Sequence, residues 1–247
     1  MVLYEMKEKA RDDMARAKPR PIGMAIIYLL IIGALSLMLN YVTGGVYLSG
    51  RLADPGLIWL KLILQFLAGL FQIVLTVGFR TYCLSGIERR PSSFSALFAG
   101  FRDFGRILRL SILMDLYILL RFLLLIVPGI IAIYRCRMAY FLIIDNPHMT
   151  AKEAIRASSL LMNGRKSDLF LLDLSFIGWA LLAVPLSFVF WRVFMRTGLD
   201  GVYGTMLAAY CLGLWLVPYF NFTNAVFYRN AVKENGDQVP VRNGTLR

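Results

Sequence analysis

Histidine occurs once in this chain, as His148, and cysteine three times, as Cys83, Cys136 and Cys211. The cysteines lie far apart, inside or beside apolar stretches, with no CxxC or Cys/His pairing. Neither a zinc site nor a disulfide framework is therefore expected, and each cysteine reads as a small membrane-packing residue. Catalytic patterns are equally thin, with no metal-ligand spacing, GxSxG elbow or phosphate-cradling loop. His148 beside Asp145 offers acid–base chemistry in principle, but nothing nearby resembles a nucleophile. The chain is expected to be no enzyme and to hold no cofactor. Charge is also scarce, at 17% of residues against roughly 25% in a soluble domain. A soluble protein of this size would lack the polar residues to cover its surface.

Apolar residues fill the gap, at 58% against roughly 45–50% in globular chains. The net charge is nonetheless +12. Its lysines and arginines lie mainly between apolar stretches, which fits orientation in a bilayer and attraction to anionic lipid. No aromatic-plus-basic pattern of the nucleic-acid-binding kind is present. The expected partners are membrane lipids, with anionic headgroups foremost, and a further protein in the membrane.

A span needs about 20 mainly apolar residues. Five segments qualify directly, at about 22–42, 57–79, 107–127, 169–191 and 205–225. The first exceeds the ~7–15 residues of a signal-peptide core, so it reads as an uncleaved span. The disputed segment is 130–144, short and carrying Arg135 and Arg137. Pro128-Gly129 before it suits a hairpin turn; one long kinked helix is the alternative. Charge counting favours the hairpin. With six spans and the N-terminus inside, the inner segments hold twenty Lys and Arg, and only Arg51, Arg192 and Arg196 lie outside, with Lys61 at a span edge. Without the return of 128–144, Arg165 and Lys166 would face outward, against the positive-inside tendency. The expected fold is an all-α polytopic transmembrane bundle of about six spans arranged as hairpins. Residues 1–21 form a basic cytoplasmic amphipathic segment, 22–228 one membrane domain, and 229–247 a polar cytoplasmic tail, in the plasma membrane of a bacterium.

Short amphipathic helices are expected on the inner side. Phe94, Leu97, Phe98 and Phe101 fall at helical spacing on one face, with Ser92 or Ser93 as N-cap. Thr150 and Glu153 have the capping-box pattern. Behind them Ala154, Ile155, Ser158, Leu161 and Met162 form a stripe ending at the C-cap signal Asn163-Gly164. Each segment leads into a span through a Gly-Arg pair, Gly105-Arg106 and Gly164-Arg165. The tail residues Tyr4, Met6, Ala10 and Met14 fit a degenerate third copy. Three units of an amphipathic helix plus a two-span hairpin are one reading. Unrelated interfacial helices before spans are the other.

Residues 134–179 carry a resemblance. The run Tyr134-Arg-Cys-Arg-Met138 leads to Ala139-Tyr140 and Asp145-Asn146-Pro147, then Glu153-Ala154-Ile155, Ser158, Leu161-Met162 and Gly164. Leu169-Phe170 and Leu174-Ser175-Phe176-Ile177-Gly178-Trp179 follow. This pattern resembles a family of bacterial integral membrane proteins, domain-of-unknown-function family 975. The run Ile126-Val127-Pro128-Gly129-Ile130-Ile131 resembles its Pro-Gly turn. Leu214 to Tyr219, with Ala225-Val226-Phe227-Tyr228 beyond, resembles its last span. The resemblance extends over about residues 85–230. It implies a multispan membrane protein, and no functional residues to carry over.

Charges inside a membrane cost roughly 2.5–3.5 kcal/mol each on insertion scales and by default point to function. Five stand out: Asp115, Arg121, Arg135, Arg137 and Asp173. With a turn at Pro128-Gly129, the three arginines fall at one depth, roughly 10 Å below it. Arg135 and Arg137 lie about 200° apart on a helix and cannot share a face. An anionic headgroup or solute site is one reading of Arg121, Arg135 and Arg137. Snorkelling, or pairing with Asp115 and Asp173 to fix helix packing, is the other. Pro185 and Pro218 are expected to kink spans, and Asn221 and Asn224 to hydrogen-bond neighbouring helices. The expected role is a membrane module that organises lipids or partner proteins. The competing role is a transporter of an anionic or amphiphilic solute.

Overall fold

A computed structural model of the protein describes residues 3–48, 55–198 and 201–235. Arg51, Arg242 and Arg247 lie outside the described residues. The architecture is an all-α bundle. Helix α1 (Leu3–Arg16) precedes a long pair, α2 (Pro21–Leu48) and α3 (Pro55–Ile87). A 3-10 turn (Phe94–Phe98) and the short α4 (Ala99–Arg102) lead into α5 (Phe104–Leu124). Then come α6 (Ile126–Cys136), α7 (Ala139–Asp145) and α8 (Ala151–Leu161). Helices α9 (Lys166–Leu181), α10 (Ala183–Arg196) and α11 (Gly201–Glu234) complete the chain. A short segment followed by two long arms thus occurs three times in order, but the second short segment begins as a 3-10 turn and the three pack differently.

Five helical runs are long and apolar enough to cross a membrane: Pro21–Leu39, Ile58–Ile87, Ile126–Asp145, Lys166–Arg196 and Gly201–Glu234. The chain is a multi-pass membrane protein. Helix α5, the expected 107–127 span, has 21 residues but includes Arg106, Arg109, Asp115 and Arg121, which keep it off that set.

Packing is uneven along the bundle. The buried core gathers at one end, where Phe79, Tyr82 and Cys83 of α3 meet Phe141 and Leu142 of α7, and Phe222 and Tyr228 of α11. Phe141 stacks on Tyr228 at 5.3 Å, and Tyr82 meets Phe222 edge-on at 5.9 Å. Towards the other end apolar side chains face outward, Leu123 being 82% exposed and Leu124 72%. A face this apolar is stable against lipid, where exposed carbon costs nothing.

Three expected boundaries shift. The hairpin turn is at Leu125, in extended backbone (φ −164°, ψ 153°), and not at Pro128-Gly129. Pro128 is the third residue of α6, a first-turn position where its missing N–H is no loss. Gly129 serves contact: a Cβ there would lie 2.5 Å from the Phe122 ring of α5. The expected 169–191 span is two helices parted at Leu182, because Pro185 has no N–H for the Leu181 carbonyl. The expected second span ends at 79, whereas α3 continues to Ile87. There Thr81 and Ser85 donate back to the carbonyls of Val77 and Thr81 at 3.0 Å, satisfying their hydroxyls within the helix. Arg89 then closes α3 in the left-handed region at φ 54°. Arg90 N–H bonds the Ser85 carbonyl and Arg89 N–H that of Gly86, the pattern of a Schellman cap.

The short helices divide. Thr150 and Glu153 form the full capping box of α8, whose Ala154, Ser158 and Leu161 are buried. The helix ends at Leu161, short of Asn163-Gly164, with Met162 as C-cap, and Gly164 at φ 77° lies in the turn beyond. On α1, Met6 and Ala10 are buried and Tyr4 is 68% exposed. Along 94–101 only Leu97 and Gly100 are buried. Phe94, Phe98 and Phe101 are exposed, and Ser93 caps without a side-chain bond.

Candidate functional site

The α5–α6 hairpin brings three of the five intramembrane charges together and then separates them. Its register pairs Ser111 with Tyr140, whose hydroxyls lie 2.8 Å apart, and Phe122 with Gly129. Arg121, Arg135 and Arg137 stand four, ten and twelve residues from Leu125. Their backbones therefore lie at different depths, about 6, 15 and 18 Å from the turn, and not at one level. The Arg121 guanidinium folds back over the Tyr117 ring, 5.0 Å from its centroid, which lowers it towards Arg135. Both arginines come within electrostatic reach of the buried Cys136.

Arg135 and Arg137 point apart, as helix geometry requires. Arg137 turns inward and pairs with Asp173 on α9. Tyr134 donates to the same carboxylate oxygen at 3.1 Å, and the guanidinium lies 5.2 Å from the Phe220 ring of α11. This ion pair fastens α6 to α9. Arg135 has no such partner. Its Nε is buried without a hydrogen bond, and its backbone carbonyl accepts from Ser158 of α8 at 2.6 Å. Among the described residues neither Arg121 nor Arg135 forms a salt bridge. Asp115, expected as a partner, is level with Cys136 but exposed and pairs with neither. Of the expected carboxylates, only Asp173 compensates an arginine.

Two further charge groups escaped the sequence reading. Arg80, counted there in an inner loop, sits inside the lengthened α3 with its guanidinium 4.7 Å from the Tyr140 ring and 5.9 Å from Phe141. No carboxylate pairs with it among the described residues. A signal existed: Gly78-Phe79 before it and Tyr82-Cys83-Leu84 after it are the residues of a continuing span. The second group locks the packed end. Arg229 of α11 pairs with Glu88 beyond α3 and with Asp145 of α7, the latter at 2.8 Å. Tyr228 donates to Asp145 at 2.7 Å, and Arg90 reaches Glu88 at 2.9 Å. Asp145 is thereby committed to α11, while His148 is exposed, so the two form no acid–base pair. Nearby, Arg106 donates to the carbonyls of Ile143, Asn146 and Met149 at 3.0–3.4 Å, tying α5 to the end of α7. The second Gly-Arg pair acts differently: Arg165 bonds Glu234 at 2.5 Å.

Asn221 and Asn224 do not bridge helices. Each donates to the carbonyl four residues back, Val217 and Phe220, at 2.9 and 2.8 Å, within α11 itself. Of the cysteines, Cys83 and Cys136 are buried and Cys211 is exposed. On α1, Lys7 lies 4.5 Å from the Phe176 ring of α9 and its ammonium is pushed below the usual lysine range by burial. Burial likewise raises the Asp13 carboxyl.

Residues 121–235 match the family model described as "Protein of unknown function (DUF975)". No curated protein and no solved structure matches the chain. The matched stretch runs from Arg121 through the whole of α11. It takes in Arg135, Arg137, Asp173, Asp145 and Arg229, and leaves Arg80, Glu88 and Asp115 outside. The resemblance at Tyr134–Trp179 falls wholly within it, and over residues 121–235 the chain is similar to the family DUF975.

Proposed function

We propose that this chain is a non-enzymatic membrane module that binds anionic lipid through Arg121 and Arg135. One observation carries the reading: two guanidiniums lie within electrostatic reach of the same buried Cys136 on an apolar, outward-facing hairpin, and among the described residues neither forms a salt bridge. Unpaired cations at membrane depth need an anion, water or a route to the interface. A lipid phosphate supplies the anion, and the exposed Leu116, Leu119 and Leu120 of the same arm give its chains an apolar surface. The setting is a bacterial plasma membrane with α1, α8 and the C-terminal end of α11 in the cytoplasm, supported by the basic residues at that end.

Native mass spectrometry of the protein in mild detergent tests this. Wild type is expected to retain an anionic phospholipid that Arg135→Leu and Arg121→Leu lose, with melting temperatures close to wild type. Equal retention by wild type and both variants removes the reading. A protein partner carried equally by all three turns it towards a scaffold.

Arg80 supports a second reading, an anion-conducting or transporting protein. A guanidinium held among aromatic rings inside the bundle, with no carboxylate, is a counter-charge for a passing solute. Under this reading Arg80→Gln abolishes anion efflux from proteoliposomes while Arg135→Leu leaves it intact. Equal efflux from protein-free vesicles and wild type rejects it.

A further inference from the structure

The segment between α3 and α5 builds a second polar feature that neither reading uses. A cleft of ≈ 550 Å³ opens there, lined by Ser85, Ser92, Ser93, Ser95, Ala99 and Arg102 among others. Its lining holds one cation and no carboxylate, so its field selects an anion. Two of the hydroxyls are already spent as donors: Ser85 bonds the Thr81 carbonyl at 3.0 Å and Ser92 the Lys18 carbonyl at 2.8 Å. Ser93 and Ser95 bond each other at 2.6 Å, which leaves one proton of that pair to give. With the guanidinium fork of Arg102, the cleft offers an array suited to phosphate oxygens.

The cleft is held rigidly. The carbonyl of Leu97 lies directly over Gly78 of α3, where any Cβ would collide with it. A Cβ on Gly100 would lie 2.7 Å from the Val74 carbonyl. Backbone therefore packs on backbone at two points, and the serine loop is set before a ligand arrives.

An apolar tract on the same segment decides what kind of phosphate fits. Phe94, Phe98 and Phe101 are 42–48% exposed. Phe98 and Phe101 lie 6.2 Å apart, and Phe101 meets Phe71 of the α3 span at 5.6 Å. The tract thus runs from the segment down onto the membrane-spanning face of α3. A free inorganic anion has no use for such a path. An amphiphile does, with its head in the serines and its chains along the rings.

We infer that this cleft seats the phosphate of an anionic phospholipid from the leaflet on the α1 side, with Arg102 as its charged contact. The site is independent of Arg121 and Arg135, which lie on the two arms of the next hairpin, Arg121 near the Leu125 end of α5 and Arg135 on α6.

The test uses the full chain in mild detergent, titrated with phosphatidylglycerol and read by native mass spectrometry, with melting temperature as the folding control. Arg102→Gln is expected to weaken retention about tenfold, the loss of a charge-assisted contact, and Phe101→Ala to weaken it further when combined. Arg109→Gln, an exposed arginine outside the cleft, is expected to leave it unchanged. An Arg121→Leu/Arg135→Leu background is expected to keep the Arg102-dependent fraction, so failure of the hairpin site leaves this one standing. Equal losses for Arg102→Gln and Arg109→Gln would overturn the inference. So would displacement of the lipid by millimolar inorganic phosphate, which would make the cleft a site for the free ion.

Discussion

Arg229→Met removes the cation that joins Glu88, just beyond α3, to Asp145 of α7 and to α11. Glu88 and Asp145 are 12% and 10% exposed, and Arg229 itself 16%. Breaking a buried pair by deleting one partner costs roughly 3–5 kcal/mol, because the remaining charge stays desolvated. Here two carboxylates are stranded, but each keeps another contact: Arg90 on Glu88 and Tyr228 on Asp145. The cost therefore falls near the lower limit, about 3 kcal/mol. For a chain of this size that is a melting-temperature drop of roughly 10 °C, measurable by thermal unfolding in mild detergent. Asp145→Asn is expected to cost less, about 1–2 kcal/mol, since an amide oxygen still accepts from Tyr228 and Glu88 still neutralises Arg229. Adding Glu88→Gln to Arg229→Met should recover part of the loss, giving coupling of roughly 0.5–3 kcal/mol. An Arg229→Met protein within about 0.5 kcal/mol of wild type, or a strictly additive double mutant, would show that the network does not hold the bundle end.

Other expectations concern the hairpin and the two short helices. Gly129→Ala should force α5 and α6 apart against Phe122 at a cost of about 1–3 kcal/mol, and Phe122→Ala should relieve much of it; thermal unfolding of the single and double variants checks this, and no relief would remove Phe122 as the cause. Asp13 and Glu153 should respond oppositely to acid. The Asp13 carboxyl is raised by burial, so docked α1 favours the protonated form and tightens as pH falls through the raised value. Glu153 is held below its ordinary value by hydrogen bonds from Thr150. Its cap therefore contributes fully above the ordinary carboxyl range and is lost as pH falls through the lowered value. Hydrogen exchange across residues 3–16 and 151–161 between pH 7 and 4 reads both, and Asp13→Asn should abolish the first response. Faster exchange of α1 in that variant at pH 7 refutes the burial argument.

Much of this fold is written locally. Thr150 and Glu153 specify the start of α8 to the residue, because a cap uses only atoms within one turn. The long arms follow from apolar length alone. The Leu125 turn was not legible, since Pro128-Gly129 fits both a turn and the first turn of a helix, and only the Phe122 contact tells which. Arg80 was misplaced for a related reason: an arginine ends a hydropathy window, while a bundle with Tyr140 opposite can keep it inside. Asp115 and Asp173 looked alike as partners. Which one reaches an arginine depends on whether α9 lies against that face of α6, and one sequence does not fix that pairing. The Arg229 network was hidden because its members lie 57 and 84 residues apart, each in a stretch that reads as a solvated inner loop.

The same geometry bears on the helix whose charges keep it from the apolar set. Arg106, near the start of α5, bonds the carbonyls of Ile143, Asn146 and Met149, so α5 begins where α7 ends. It then meets α6 across Leu125. Its 21 residues rise about 31 Å, the same as the 20 residues of Ile126–Asp145. If the second arm crosses the hydrocarbon, the first must cross beside it, and the chain makes an even number of crossings. Its charges sit where a crossing tolerates them: Arg106 and Arg109 near the packed end, Arg121 within a turn of Leu125. Asp115 alone lies near mid-depth. Single cysteines in a background free of Cys83, Cys136 and Cys211 test this with a membrane-impermeant maleimide on sealed vesicles. Leu125→Cys and Asn146→Cys should label from opposite sides, and Glu88→Gln in the same background should not change that. Labelling of both from one side would mean that α5 and α6 form a re-entrant hairpin, which leaves four crossings, by α2, α3, α9–α10 and α11, with both ends of the chain still on one side.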